Sequence, residues 1–173
     1  LYLLGLLDVP TEGTVLVDGR NASLLDEEER AQVRLSTLGF VFQFHFLLPE
    51  FSALDNVMLP MRALGRLDET ERRKRGLEIL GLLGLADHAH KLPGQLSGGQ
   101  RQRVAIGRSL ANDPLVILAD EPTGNLDTVS SEQVFSIFRK LVDTMNRTIV
   151  IVTHDMGLAA RADRHVRLVD GRI

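Results

Sequence analysis

The sequence contains no cysteine and no tryptophan. The first absence excludes disulfides, thiolate catalysis and Cys-ligated zinc, and it suits a reducing compartment. The second, with aromatics at only 5%, argues against the stacking platforms that bind single-stranded nucleic acid. Positive charge is not in excess either. A net charge of −3 and a pI near 6.0 give no footprint for a phosphate backbone, so no nucleic-acid partner is expected. No run approaches the roughly 18 apolar residues of a membrane helix. The apolar opening Leu1–Leu7 is too short for one and lacks the basic flank of a secretory signal. Finally, no glycine is followed by lysine, so a Gly-x-x-x-x-Gly-Lys-Ser/Thr phosphate loop is missing.

What is present is ordinary for a globular α/β protein. The 173 residues, 44% hydrophobic and 25% charged, suffice for one domain, or one domain with a small insert. Residues 14–19 read as a strand closed by Asp18-Gly19, and Leu38–Gln43 as a second β-favouring run. Between about 45 and 111 the character becomes helical. A helix over Asp68–Gly84 opens on a charged first turn and runs into Leu77, Leu80 and Leu83, with Gly84 placed to stop it, and another starts at Ser97. The apolar run Leu115–Ala119 then predicts a strand buried on both faces of a parallel sheet. Val134, Ile137, Phe138, Leu141, Val142 and Met145 recur at helical spacing. Thr148–Val152 reads as another buried strand, and Val166–Ile173 as a terminal hairpin through Asp170-Gly171.

Two runs carry chemistry. Asp120-Glu121 places adjacent carboxylates where an apolar strand ends, the location at which parallel sheets present ligand groups. One carboxylate there can hold Mg²⁺ while the other orients and deprotonates a water. Taken alone, the pair also fits a solvent-facing Asp-Glu-Pro turn. Leu96-Ser97-Gly98-Gly99-Gln100 is more specific. A serine cap and two glycines at a helix start leave backbone N–H groups open to an anion. By average residue usage that string arises by chance about once in several thousand chains of this length.

The string is the signature motif of ABC ATPases, and the chain resembles that family from end to end. The resemblance implies a P-loop NTPase (RecA-like) core over residues 1–44 and 112–173, with a mainly helical signature subdomain inserted over 45–111. It implies roles for residues that mean little alone. Asp120 becomes the Mg²⁺ residue and Glu121 the general base. Gln43 becomes the Q-loop glutamine that reaches Mg²⁺ and the attacking water; by itself it would pass for a surface polar residue. Asp127, in Gly124-Asn125-Leu126-Asp127, falls in the D-loop, which can equally be a helix N-terminal turn. His154 becomes the switch histidine that contacts the γ-phosphate. His88 and His90 lack a cysteine or carboxylate cluster and are expected in the loop before the signature run.

The family resemblance further implies a head-to-tail dimer of two copies, with ATP and Mg²⁺ between them. Ser97, Gly98, Gly99 and Gln100 would then act on the partner's nucleotide, and Gln43, Asp120, Glu121 and His154 on the chain's own. It places the protein peripherally, at the cytoplasmic side of the inner membrane, against integral membrane subunits. In that family the phosphate loop precedes the first helix, so Leu1–Leu7 is expected to be that helix with its front end removed. The segment as given is then expected to be N-terminally truncated and inactive alone. The wording Phe44–Val57 looks most like the lipoprotein-releasing (LolD-type) ATPases, with macrolide-exporter-like and cell-division ABC ATPases as the alternative. The apolar segment Gln43–Phe51 reads either as a groove for a membrane subunit or as ordinary core. DNA-repair and translation ATPases of the family carry long coiled coils or tandem domains, and neither fits here. A catalytically inert module has no need of both Glu121 and His154.

Overall fold

The computed structural model describes residues 1–173. Its framework is a three-stranded parallel sheet in the order β3 (Leu38–Phe42), β4 (Val116–Asp120), β5 (Thr148–Val152). The register aligns Phe42 with Asp120 and Asp120 with Val152, so the three strands end level. A separate antiparallel pair, β1 (Leu16–Val17) with β2 (Arg20–Asn21), turns through Asp18 and Gly19, both at positive φ. The strand expected over 14–19 is thus shorter, because that turn comes after only two paired residues.

The helices begin where the sequence caps them. α1 (Glu27–Thr37), α3 (Glu69–Leu82) and α4 (Gly98–Leu110) each start with a reciprocal capping box, Asp26/Glu29, Asp68/Glu71 and Ser97/Gln100. α2 (Ala53–Leu64) is capped by Ser52 and α5 (Thr128–Met145) by Asp127; a short α6 (Met156–Ala159) follows Asp155. Leu1–Leu7, expected as helix, forms one helical turn. It is closed by Leu6 N–H to Leu3 O and Leu7 N–H to Tyr2 O, with Leu6 at positive φ. Burial of Leu6 offsets that backbone cost.

One main core joins the helical segment to the sheet: Leu54, Val57 and Met58 of α2, Leu80 of α3, Ile106 of α4, Val41, Ile117 and Phe138 belong to a single cluster. Leu38 and Leu118 face the opposite side of the sheet, with Leu6 and Ala22. β4 is therefore buried on both faces, as its apolar run implies. β5 differs from expectation: it lies at the edge of this sheet and is only half-buried. Leu77 is also turned outward at 37% exposed, while Leu80 and Leu83 are buried. The terminal hairpin is a single bridge between Val169 and Arg172 around Asp170-Gly171. Gly39 sets how closely α4 lies on β3, since a Cβ there would fall 2.6 Å from the Ser109 carbonyl oxygen. Truncating Phe138, 3% exposed in the main core, to Ala should cost about 3–5 kcal/mol, read by denaturant unfolding. A loss under about 1 kcal/mol would show that α5 is not anchored there.

Candidate active site

Because the parallel strands end level, the residues that follow them gather at one edge. Gln43 follows β3, Glu121 follows β4, and Thr153 and His154 follow β5. Glu121 sits in the left-handed region (φ 43°), a conformation that costs a non-glycine residue about 1–2 kcal/mol. Two contacts hold it there: its N–H donates to Val152 O (2.9 Å) and its carbonyl accepts from Gly124 N–H (3.0 Å). The carboxylate in turn gathers the end of β5. Oε1 accepts from the His154 backbone N–H (2.8 Å) and from His154 Nδ1 (2.7 Å), while Oε2 accepts from the Thr153 hydroxyl (3.1 Å). Glu121 is 19% exposed at its side chain and His154 is 84% exposed, so the carboxylate is tucked in and the imidazole faces out. With Nδ1–H given to Glu121, a hydrogen bond from Nε2 to a phosphate oxygen requires the doubly protonated ring.

Gln43 lies across the following turn. Its Nε2 donates to Asn125 Oδ1 (3.3 Å), and Asn125 Nδ2 donates back to Gln43 O (3.4 Å). A Cβ on Gly124 would fall 2.8 Å from Gln43 Nε2, so glycine there is what lets the amide lie over the turn. Asp120, at the last strand position, is half-buried, and its side chain makes no hydrogen bond. A cleft of about 500 Å³ opens beside Glu121, Gly124, Thr128, His154 and Arg161.

The signature run forms the start of α4. Ser97 Oγ accepts from Gln100 N–H (3.2 Å), and Gln100 Oε1 accepts from Ser97 N–H (2.9 Å). The N–H groups of Gly98 and Gly99 fall in the first turn, where an α-helix supplies no carbonyl. Gly99 is buried, and a Cβ there would lie 2.7 Å from Ser130 Oγ, so the starts of α4 and α5 touch. His88, which ends a 3-10 turn, brings its Nε2 to 3.0 Å from Gln100 Nε2; it sits before the signature run as expected, but as a neighbour of it. His90 is exposed.

Asp127 caps α5. Its carboxylate accepts from Ser130 N–H (2.8 Å) and from the Ser130 hydroxyl (2.9 Å). These bonds, the backbone one first, hold its carboxyl below the ordinary carboxylate range. Such a group stabilises the fold fully above its unfolded pKa, and the contribution is lost as pH falls through the lower, folded value. Asp127→Ala should therefore lower Tm at neutral pH, and the difference should close in acid. Asp127→Asn keeps an acceptor and should retain most of the Tm. Thermal unfolding of the three proteins across pH checks this, and equal melting of all three would remove the cap.

Four features escape motif reading: the strained φ of Glu121, Asn125 paired to Gln43, Thr153 on the carboxylate, and Gln102. The last is 1% exposed on α4 and is a polar residue in an apolar stripe with Ala105 and Ile106, a signal the sequence does carry. The segment after Gln43 divides. Leu47 packs on the core, while Phe44 and Phe46 are 62% and 64% exposed, continuing a row of rings from Phe40 and Phe42. Arg108 fixes the segment by donating to Phe46 O (2.6 Å) and His45 O (2.7 Å). Burial first, then the guanidinium of Arg101, holds the His45 imidazole below its usual pKa.

A parallel sheet with helices, a capped glycine pair at a helix start and two carboxylates where β4 ends fit the α/β fold of P-loop NTPases. Residues 1–124 match the family described as ABC transporter. LolD 1, a lipoprotein-releasing system ATP-binding protein of Chlorobium chlorochromatii, is 49% identical over 173 residues, all of this chain and 70% of its own length. The protein of that system from Bacteroides thetaiotaomicron is 50% identical over 173 residues, again all of this chain and 79% of its own. An uncharacterized ABC transporter ATP-binding protein of Thermotoga maritima is 51% identical over all of this chain and 73% of its own. Among solved structures, a dimeric post-hydrolysis state of the ATP-binding cassette MJ0796 bound to ADP and Pi superposes with a TM-score of 0.89 at 43% identity, covering 99% of this chain and 75% of that one. A second dimeric structure of that cassette gives a TM-score of 0.82 at 45% identity, over 92% of this chain and 70% of that one. The chain belongs to the ABC transporter family, as an ATP-binding subunit.

Proposed function

We propose that this protein hydrolyses ATP as a head-to-tail dimer and powers the release of lipoproteins from the inner membrane through integral membrane subunits. The observation that carries the chemistry is the level ending of β3, β4 and β5, which sets Gln43, Asp120, Glu121 and His154 along one edge of the sheet. Glu121 would take the proton of the attacking water. His154 would orient that carboxylate, and Gln43 would position the water. Ser97, Gly98, Gly99 and Gln100 would offer the start of α4 to the nucleotide of the second copy.

The donor set fits Mg²⁺ bound in the manner usual for nucleotide sites, through one or two protein oxygens and the substrate phosphates. No cluster of three carboxylate, His or Cys side chains forms an all-protein cage, and Asp120 and Gln43 bring hard oxygens to the same edge. Bound there, the ion would neutralise phosphate charge; the proton and its acceptor belong to the side chains. The exposed Phe44 and Phe46, beside a groove lined by Leu35, Phe40, Pro60 and Arg108, suit contact with an apolar segment of a membrane subunit. No helix of the chain is long and apolar enough to cross a membrane.

The cargo rests on the lipoprotein-releasing relatives. Phosphate release by the full-length protein, with and without Mg²⁺, tests the ATPase; no Mg²⁺-dependent turnover would overturn it. Mass spectrometry of co-purified membrane subunits, followed by lipoprotein release from proteoliposomes, tests the cargo. ATP-dependent turnover without lipoprotein release would overturn the cargo alone.

A further inference from the structure

Gln102 lies on α4 just beyond the signature run, 1% exposed, between that helix and the ends of two strands. Its Nε2 donates to Phe42 O at 3.2 Å and to Pro122 O at 2.7 Å. Those carbonyls belong to the residue before Gln43 and the residue after Glu121. Its own Oε1 is buried and has no partner. A buried amide with an unpaired acceptor carries a desolvation penalty of its own, set against the two carbonyls that its NH₂ group satisfies. What the amide does, and methionine cannot, is hold two carbonyls at the fixed spread of one planar NH₂ group.

The same helix begins with the Ser97–Gln100 box, so a shift of its start is carried through one rigid element to both carbonyls. We propose that Gln102 is a positioning residue that ties the signature helix to Gln43 and Glu121. Engagement of Ser97 to Gln100 with the nucleotide of a second copy thereby sets the chain's own hydrolytic groups. This rests on the ATPase reading above.

Gln102→Met in the full-length protein is the test, with two readouts. Hydrogen exchange should rise in peptides spanning Phe42–His45 and Glu121–Gly124 and stay unchanged in β5. The kcat for ATP should fall about 10- to 100-fold, as small misplacements of reacting groups do, with KM within about twofold. A merely structural role would lower Tm and leave kcat per folded molecule intact, and that result overturns the proposal. So does unchanged exchange in both segments. Should the variant fail to fold, the side-chain amide protons of Gln102 in the unsubstituted protein decide by NMR. Slow exchange supports the two bonds, and exchange as fast as that of an exposed glutamine overturns them. Because exchange is read without turnover, failure here is separable from failure of the ATPase reading, which an inactive unsubstituted protein would reveal.

Discussion

Glu121→Gln should slow ATP turnover at least about 100-fold while leaving ATP bound, the magnitude typical of losing a general base. The substitution is nearly isosteric, and the amide can keep the local structure. An oxygen still accepts from the His154 backbone N–H, and the Thr153 hydroxyl can accept where it formerly donated. Glutamine pays the same backbone cost as glutamate at φ 43°, so no strain is released. What disappears is the carboxylate assigned to take the proton of the attacking water, while Asp120 stays in place for the Mg²⁺ role. Steady-state phosphate release and nucleotide binding, measured on the same preparation, separate the two effects. Turnover near that of the unsubstituted protein would remove Glu121 from the chemistry.

The second large effect is complementation between two inactive proteins. Gly99→Asp forces a side chain into the space of Ser130 Oγ, 2.7 Å from the Cβ position, and sets a negative charge where an anion would bind. It should lose at least about 100-fold in turnover, on the scale of a lost oxyanion donor. If each nucleotide is served by the carboxylate of one copy and the signature run of the other, mixing Gly99→Asp with Glu121→Gln builds one intact site in every mixed dimer. Half the dimers are then mixed and half their sites intact, so about a quarter of normal activity should return for a two-fold assembly. A mixture no faster than its components would show that Ser97–Gln100 and Glu121 serve the same copy, which would sink the head-to-tail arrangement.

The fold and the site were legible to different depths. The helix starts at Asp68 and Ser97 were plain, because each stands three residues before its Glu or Gln partner; α1 was not read, although Asp26 and Glu29 have the same spacing. β4 was plain because burial on both faces leaves a continuous apolar run. β5 has the same kind of run yet lies at the sheet edge, since composition records how apolar a strand is and not how many neighbours it has. The placement of Gln43, Glu121 and His154 on one edge follows from strand ends, which the sequence marks. Their mutual bonds do not, because they depend on contacts between residues 32 to 82 positions apart, such as Glu121 with Thr153 and Gln43 with Asn125. Gln102 was not singled out from the sequence, and its two carbonyl partners, Phe42 at the end of β3 and Pro122 just past β4, lie in segments 60 and 20 positions away.

The matched register of the three strands has a further consequence for how such a protein can change over time. Side chains alternate faces along a strand and each residue advances the chain by about 3.3 Å, so one inserted or deleted residue inside β3, β4 or β5 would displace its terminal group and turn it to the wrong side. The connections at the opposite end of the sheet carry no such restriction. Length variation should thus accumulate in the turns that lead into the strands, while the strands themselves act as fixed measures of distance.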